Sequence, residues 1–254
     1  MAWFKDIYLF NQAQLKLAHI TDTHLFENTN GEYFTVNTAA HFKRVLASLA
    51  QANLDAVVFG GDLTQDHTFA SYELFATLVA ESALSCPIFW LPGNHDDLDY
   101  LHEISQGQIV AAKRIQFEHG QILLLNSKGP TPAGWVAKEH LQEIEAHCSE
   151  PSIVFCHHNP LPIEGYLDKH MLENGPQVLN CLVNLQCVMA LFHGHVHHDY
   201  EFSFRGLSVY ATPATSIQFK KQTQDWQQEN LGAGYRLINW TEAALNTEVK
   251  WLTK

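Results

Sequence analysis

The chain has 254 residues, 46% of them hydrophobic, which is enough to bury a sizeable core, and we expect a single domain over residues 1–254. The formal net charge of −12, with only 15 Lys and Arg, argues against nucleic acid as a partner, because phosphate backbones are held mainly by clustered basic side chains. No apolar stretch approaches the length of a membrane span, and the N-terminal residues do not read as a signal peptide, so we expect no membrane association.

The first half of the chain alternates short apolar runs with segments of helical periodicity, a pattern typical of an α/β domain. Strands are predicted over residues 15–21, 54–59 and 87–91. Asn37 is predicted to cap a helix that continues to about residue 53, because apolar residues recur at helical spacing from Phe42 to Leu49. A second amphipathic helix is predicted over residues 69–82.

The second half is richer in strands. A hairpin is predicted from residues 115–118 and 121–126, and helices are predicted over 137–148 and from about Pro176. Further strands are predicted over residues 152–156, 188–192, 200–204, 207–211, 235–240 and 248–252. So many strands would overfill one flat sheet, which favours two packed sheets flanked by helices.

Polar motifs stand where apolar strands stop. These motifs are Asp22-Thr23-His24, Gly61-Asp62, Gly93-Asn94-His95, Gly194-His195-Val196-His197 and Cys156-His157-His158-Asn159. In open α/β sheets the loops beyond the carboxyl ends of the strands form the ligand crevice, so we expect these side chains to converge. In extended backbone, residues two apart point to the same side, so Asp22 with His24 and His195 with His197 would each present two ligands to one place.

The glycines that precede three of these residues permit close backbone approach, which short side chains need to reach a metal only about 2.0–2.2 Å away. The candidate ligands are Asp22, His24, Asp62, Asn94, His157, His195 and His197. They are too many for one tetrahedral ion and suit two ions that share Asp62, which implies two-metal hydrolysis. With imidazoles present and thiolates absent from the set, Zn, Mn or Fe fit better than Cu(I), Mg or Ca.

In this order, DxH, GD, GNHD, H and GHxH resemble the calcineurin-like metallophosphoesterase superfamily, and the match spans Asp22 to His197. Longer stretches resemble its bacterial class III 3',5'-cyclic AMP phosphodiesterases. They are ITDTHLF at Ile20, VNT at Val36, GDLTQD at Gly61, WLPGNHD at Trp90, HHNPLP at His157 and ATPATSIQFK at Ala211.

The resemblance implies a four-layer α/β/β/α sandwich in which two mixed sheets are flanked by helices. It implies a first metal on Asp22, His24, Asp62 and His197, and a second on Asp62, Asn94, His157 and His195. It further implies a metal-bridging hydroxide as nucleophile, His95 as the catalytic residue, and substrate contacts from His24, Asp62, Asn94, His95 and His197. The expected cofactors are two divalent or trivalent transition-metal ions, Fe or Mn foremost and Zn as an alternative.

Two positions depart from the family pattern. Many relatives carry an aspartate three residues after the GD aspartate to orient the catalytic histidine, whereas this chain has Gln65 there and its acid at Asp66. Which group orients His95 therefore stays open. His157 and His158 are adjacent, and aligning NPLP with the family's PPLP makes His157, the first of the two, the ligand.

The implied reaction is hydrolysis of 3',5'-cyclic AMP, a small-molecule substrate, to 5'-AMP. The same groups would serve another small phosphodiester, such as a glycerophosphodiester or a nucleotide pyrophosphate. A noncatalytic metal-stabilised binding module is a further alternative.

The five cysteines lack CxxC spacing, which favours free thiols in a cytoplasmic protein. Trp135, Trp226 or a nearby Phe could stack on a base, His170 could line the pocket, and His67 is assigned to the surface or structure.

Overall fold

The computed structural model describes residues 2–252. The strands in chain order are β1 (Ile7–Leu9), β2 (Leu15–Ile20), β3 (Glu32–Tyr33), β4 (Val36–Asn37), β5 (Ala56–Phe59), β6 (Ile88–Trp90), β7 (Ile109–Val110), β8 (Arg114–Phe117), β9 (Gly120–Leu124), β10 (Ser152–Cys156), β11 (Val188–His193), β12 (Tyr200–Phe204), β13 (Leu207–Ala211), β14 (Gln218–Phe219), β15 (Gln228–Glu229), β16 (Ala233–Trp240) and β17 (Leu245–Leu252). The helices are α1 (Thr38–Leu49), α2 (Phe69–Glu81), α3 (Leu98–Glu103), α4 (Lys138–His147) and α5 (Gly175–Asn184), with a 3-10 helix at Tyr166–His170.

The first sheet has the strand order β17-β16-β2-β5-β6-β7. Strands β2, β5, β6 and β7 run parallel, and β16 is antiparallel to both β2 and β17. β5 and β6 consist of buried apolar residues (AVVF and IFW). Such continuous apolar runs are typical of parallel strands that are covered on both faces.

The second sheet has the order β1-β8-β9-β10-β11-β13-β12. Strands β9, β10, β11 and β13 run parallel, whereas the hairpins β8-β9 and β12-β13 are antiparallel. Both sheets are therefore mixed; the parallel strands of the first sheet extend to its edge at β7, whereas those of the second lie inside the antiparallel hairpins.

The two sheets face each other across a shared apolar layer. Leu17 of β2 and Val58 of β5 pack with Phe155 of β10 and Phe192 of β11 in this layer. The alternate residues of the same strands point outward, where Ile20 and its neighbours meet α1 and α2, and where the outer face of the second sheet meets α4 and α5. This side-chain alternation produces four layers, and the predicted α/β/β/α sandwich is confirmed.

The longer predicted elements are present with ends shifted by a few residues. The side chain of Asn37 caps α1 as predicted by accepting the backbone N–H of Ala40 at 2.7 Å, but the helix ends at Leu49 rather than near residue 53. The structure also contains short elements that are not predicted from the sequence: β1, β3, β4, β7, α3, β14, β15 and the 3-10 helix. Among residues 2–252 no helix is both long and apolar enough to cross a membrane.

Candidate metal centre

The predicted motifs all lie at one edge of the two-sheet core. Asp22 and His24 follow β2, Asp62 follows β5, and Asn94 and His95 follow β6 in the first sheet. From the second sheet, His157 follows β10, and His195 and His197 follow β11. Because these strands are parallel neighbours within each sheet, their carboxyl ends bring the loops together at the crevice between the sheets.

The local backbone of these loops differs from the prediction. Asp22, His24, Asp62, His195 and His197 have φ between 46° and 68°, which is the left-handed region and not extended backbone. The expectation that residues two apart converge through extended geometry is therefore wrong, although the pairs do converge. Non-glycine residues rarely adopt positive φ, and such strain is concentrated at functional sites because the surrounding structure holds it in place.

Two glycines explain how the loops approach so closely. A Cβ atom at Gly93 would clash with Asp62 Oδ1 and the Asp62 backbone, and one at Gly194 would clash with the side chains of Thr21 and Asp22. Glycine at these positions is thus required by space, as the sequence pattern predicts.

The first cluster of candidate ligands contains Asp22, His24 and His197. His197 Nε2 lies 3.3 Å from Asp22 Oδ1 and 3.0 Å from His24 Nε2. The opposite nitrogen of His197, Nδ1, donates to the carbonyl of Ile217 at 2.9 Å. That hydrogen bond fixes the ring so that Nε2 is the nitrogen that carries the free lone pair.

The second cluster contains Asp62, His157 and His195. His157 Nε2 lies 3.3 Å from Asp62 Oδ2 and 3.3 Å from His195 Nδ1, while His157 Nδ1 donates to the Gly60 carbonyl at 2.8 Å. Asp62 Oδ2 is also 3.8 Å from His24 Nε2, so Asp62 stands between the two clusters. Asn94 lines the same cleft.

These groups fit a pair of cations. Among residues 2–252, the buried atoms Asp22 Oδ1 and Asn94 Oδ1 have no hydrogen-bond partner. The fixed rings of His197 and His157 each turn a lone pair toward a carboxylate oxygen, which is repulsive unless a cation or a proton lies between them. Carboxylate, amide and imidazole donors together suit transition-metal ions.

The pKa shifts of the buried histidines also favour a cation site. Burial by itself would lower the pKa of His157, but the carboxylates of Asp62 and Asp22 outweigh it and raise the pKa to about 9. Burial, followed by the charge of a neighbouring imidazole, lowers the pKa of His24 and of His195 to about 3. Opposed shifts among adjacent buried groups are characteristic of functional sites, and a cation would take the place of the proton on His157.

His158, the other half of the adjacent pair, lies beside His157 and His195 but is already engaged. Its Nδ1 is 2.8 Å from Ser127 Oγ, and its Nε2 is 3.3 Å from the Pro132 carbonyl. With both ring nitrogens held by the protein, His158 has no nitrogen free for an ion. This geometry favours His157, the choice made from the sequence.

Asp96, for which no role is predicted from the sequence, joins two loops of the site. Its carboxylate accepts three backbone hydrogen bonds, from Asp62, Leu63 and Gly93, each at 2.8 Å. Burial and the nearby charge of Asp62 raise the pKa of Asp96 to about 6. Asp96 therefore ties the loop of Asp62 to the loop of Asn94, and the D of GNHD was the signal for it.

The question of which group orients His95 has an unexpected answer. The Asp66 carboxylate is occupied by Thr64, Thr68 and the backbone N–H of Glu27. The rings of His67 and His24 both contact the ring of His95, and His67 is exposed, in agreement with its predicted place at the surface.

A cleft of about 130 Å³ opens beside these groups. Its lining residues fall into two sets. One is the set of candidate substrate contacts, His24, Asp62, Asn94, His95 and His197, together with His195. The other is the set Tyr33, Pro132, Leu167, His170, Phe219 and Trp226. His170 and Trp226 thus face the cleft, whereas Trp135 does not line it.

Comparison with known proteins agrees with this geometry. Residues 15–199 match the calcineurin-like phosphoesterase family. A probable cyclic nucleotide phosphodiesterase of Pseudoalteromonas sp. (strain SM9913) is 58% identical, over the whole of both chains. The 3',5'-cyclic adenosine monophosphate phosphodiesterase of Haemophilus influenzae is 34% identical over 96% of this chain and 92% of that protein, and the one of Escherichia coli K12 is 32% identical over 95% and 91%.

Solved structures share the fold at lower identity. A dimetal phosphatase from Danio rerio superposes with a TM-score of 0.66 at 15% identity, covering 92% of this chain and 98% of that one. The Plasmodium protein GAP50, described as the anchor in the inner membrane complex, superposes with a TM-score of 0.65 at 12% identity, covering 95% and 85%.

Proposed function

The chain belongs to the calcineurin-like phosphoesterase family, and on that premise we propose that it hydrolyses 3',5'-cyclic AMP to 5'-AMP. In this reaction the oxygen of water bonds to phosphorus, and the bond from phosphorus to the 3' oxygen breaks. The 3' oxygen leaves with a proton, so the product is a 5' monoester.

The observation that carries the proposal is the meeting of five loops from two sheets, where carboxylate and imidazole groups form overlapping clusters beside one cleft. The substrate follows from the relatives, since those named as cyclic nucleotide phosphodiesterases align over nearly the whole chain. All five cysteines are free thiols, which favours a cytoplasmic location, where cyclic AMP would be available as a substrate.

We assign the first metal to Asp22, His24, Asp62 and His197, and the second to Asp62, Asn94, His157 and His195. When bound, two such ions supply the positive charge that stabilises the attacking and the leaving oxygen of a phosphodiester. The donor set favours Fe or Mn, with Zn as the alternative. Asp62 lies between the clusters and is the group placed to serve both.

His95 is the residue we assign to proton transfer. Its Nδ1 is buried and has no hydrogen-bond partner within the described chain. The ring meets that of His24 edge to face at 5.0 Å, so it stands over the first cluster. From there it would hand a proton to the 3' oxygen as that oxygen departs.

The test is direct. Protein stripped of metal and reloaded with Mn(II) or Fe(II) is incubated with 3',5'-cyclic AMP, and the products are separated by chromatography. We expect 5'-AMP and no 3'-AMP, with kcat/KM above that for a glycerophosphodiester or a nucleotide pyrophosphate. The proposal fails if neither metal supports turnover of cyclic AMP.

A further inference from the structure

One wall of the cleft is built from aromatic side chains that touch in a closed series. The contacts, as distances between ring centroids, are His24–Tyr33 5.0 Å, Tyr33–Phe34 4.8 Å, Phe34–Trp226 5.8 Å, Trp226–Phe219 4.5 Å, Phe219–His197 4.5 Å and His197–His24 4.9 Å. Two members of this closed series, His24 and His197, are candidate ligands of the first metal. Its far side is formed by Phe34 and Trp226, of which Trp226 lines the cleft and Phe34 stacks against Trp226.

The outer members of this wall are open to solvent. The side chain of Trp226 is 42% exposed and that of Phe34 is 46% exposed, although the wall is otherwise largely buried. Large aromatic residues left exposed at the rim of a cleft indicate a binding face, because covering them with a ligand removes apolar surface from water.

The backbone around Trp226 holds the indole in place. Trp226 lies in the connection between β14 and β15, which is closed by a hydrogen bond from the Lys220 N–H to the Gln227 carbonyl at 2.8 Å. Another backbone bond, from Tyr166 to the Thr223 carbonyl at 2.8 Å, ties this connection to the 3-10 helix. Trp226 also meets the ring of Tyr166 edge to face at 4.8 Å.

The charge of the cleft limits what can lie against the wall. Within residues 2–252, the cleft lining contains no Lys or Arg, and its one acidic residue is Asp62 at the metal clusters. A second phosphate, as in a nucleotide pyrophosphate, would find no lysine or arginine in this lining to balance it. An uncharged planar ring would find an extended aromatic surface, on which bases of any kind stack favourably.

We propose that Trp226 is the stacking platform for the purine ring of the substrate, supported by Phe34 and Phe219. This inference rests on the proposed function, because it takes the phosphate of a nucleotide to be anchored at the metal clusters. It gives the site a preference for nucleoside monophosphates and cyclic nucleotides over phosphate esters that lack a base.

Two ligands that differ only in the base provide the experiment. Affinities of 5'-AMP and ribose 5-phosphate for the Mn(II)-loaded protein are measured by calorimetry in the wild type, Trp226→Ala, Trp226→Phe and Trp135→Ala. Trp135 is a matched control, because it is 45% exposed but stands outside the cleft lining. We expect 5'-AMP to bind at least about fivefold tighter than ribose 5-phosphate in the wild type, as base stacking on an aromatic residue predicts.

The variants decide the role of the indole. In Trp226→Ala the preference for 5'-AMP should fall below about twofold, in Trp226→Phe much of it should return, and in Trp135→Ala it should equal that of the wild type. Equal affinities in the wild type, or an undiminished preference in Trp226→Ala with bound manganese retained, overturn the inference. Should Trp226→Ala not fold, Trp226→Leu replaces it, and an undiminished preference for 5'-AMP in Trp226→Leu overturns the inference.

The two proposals fail in different ways. If the wild type binds 5'-AMP through Trp226 but does not hydrolyse cyclic AMP, the proposed function is wrong and the stacking platform stands. If cyclic AMP is hydrolysed but Trp226→Ala keeps its preference for 5'-AMP, only the platform is wrong.

Discussion

The imidazole rings of His67 and His95 stack face to face, with their centroids 5.1 Å apart and only 6° between their planes. His67 Nδ1 also donates to the backbone carbonyl of His95 at 3.0 Å. The residue at 67 therefore holds both the ring and the backbone of the proposed proton donor. Gln65, the position at which the family pattern led us to expect an aspartate, lies two residues before His67.

We predict that His67 positions His95. His67→Ala removes the stack and the hydrogen bond, and should lower kcat by about tenfold with little change in KM, because small displacements of a reacting group are costly. His67→Phe keeps an aromatic ring and should recover part of the loss. Steady-state kinetics measures both, with His119→Ala as a control distant from the cleft; an unchanged kcat in His67→Ala would show that the stack is incidental.

We predict that His95 is needed for catalysis but not for metal binding. His95→Ala is predicted to retain both ions, because His95 is absent from the proposed ligand sets, and to lose about 10²–10⁴-fold in kcat, the usual contribution of a positioned acid. Elemental analysis of the purified variant and initial rates with cyclic AMP provide the measurement. Full turnover without His95 would assign proton transfer to another group.

Asp96 should govern metal affinity without touching a metal. Asp96→Asn places an amide N–H₂ against backbone N–H donors, so at least one of the three hydrogen bonds from Asp62, Leu63 and Gly93 is lost. We expect the affinity for Mn(II) to fall about 10- to 100-fold and the free energy of unfolding to fall by about 1–3 kcal/mol.

The neighbouring Asp97 offers the control for this change. It is exposed and caps α3 through its side chain, a role that asparagine also fills. Asp97→Asn should therefore bind metal as the wild type does, and a drop of equal size in both variants would count against the special role of Asp96.

Lys113 is predicted to destabilise the fold at neutral pH. Its side chain is buried, its amine lies 2.9 Å from the centroid of the Trp90 ring, and no residue of the described chain accepts a hydrogen bond from it. Burial lowers the pKa of Lys113 well below its usual value. At pH values between the pKa of the folded state and that of the unfolded state, the unfolded chain therefore carries a proton on Lys113 that the folded chain lacks.

The pH dependence follows with a definite sign. When the unfolded state binds more protons, stability rises with pH by about 1.4 kcal/mol per unit until the unfolded pKa near 10.4 is reached. Lys113→Met removes this dependence, so it should stabilise the protein at pH 7, and the gain should shrink toward pH 9.5. Urea unfolding at several pH values tests this, with Lys138→Met as the exposed control; a gain independent of pH would contradict it.

The sequence predicts the site correctly where a ligand-type residue directly follows an apolar strand. Asp62 and Asn94 follow apolar strands and glycines, so their place at the end of the sheet could be predicted from local patterns alone. The layers could be predicted as well, because strands such as β5 are apolar on both faces.

The rest depends on contacts between distant parts of the chain. Tyr33 and Phe219 lie on strands of two residues, too short for any periodicity to register. Positive φ at Asp22 and His24 is imposed by surrounding loops, since neither residue type requires it. The stack of His67 on His95 joins residues 28 positions apart, and nothing in either local pattern signals it.

The position of β16 in the first sheet determines when that sheet can be completed during synthesis of the chain. This strand lies between β2 and β17, yet every candidate ligand precedes it and leaves the ribosome first. A nascent chain that stops short of residue 233 holds β2, and with it the loop of Asp22 and His24, at an unpaired edge. Translation must therefore pass β16 before β2, the strand that carries this loop, is hydrogen-bonded along both of its edges.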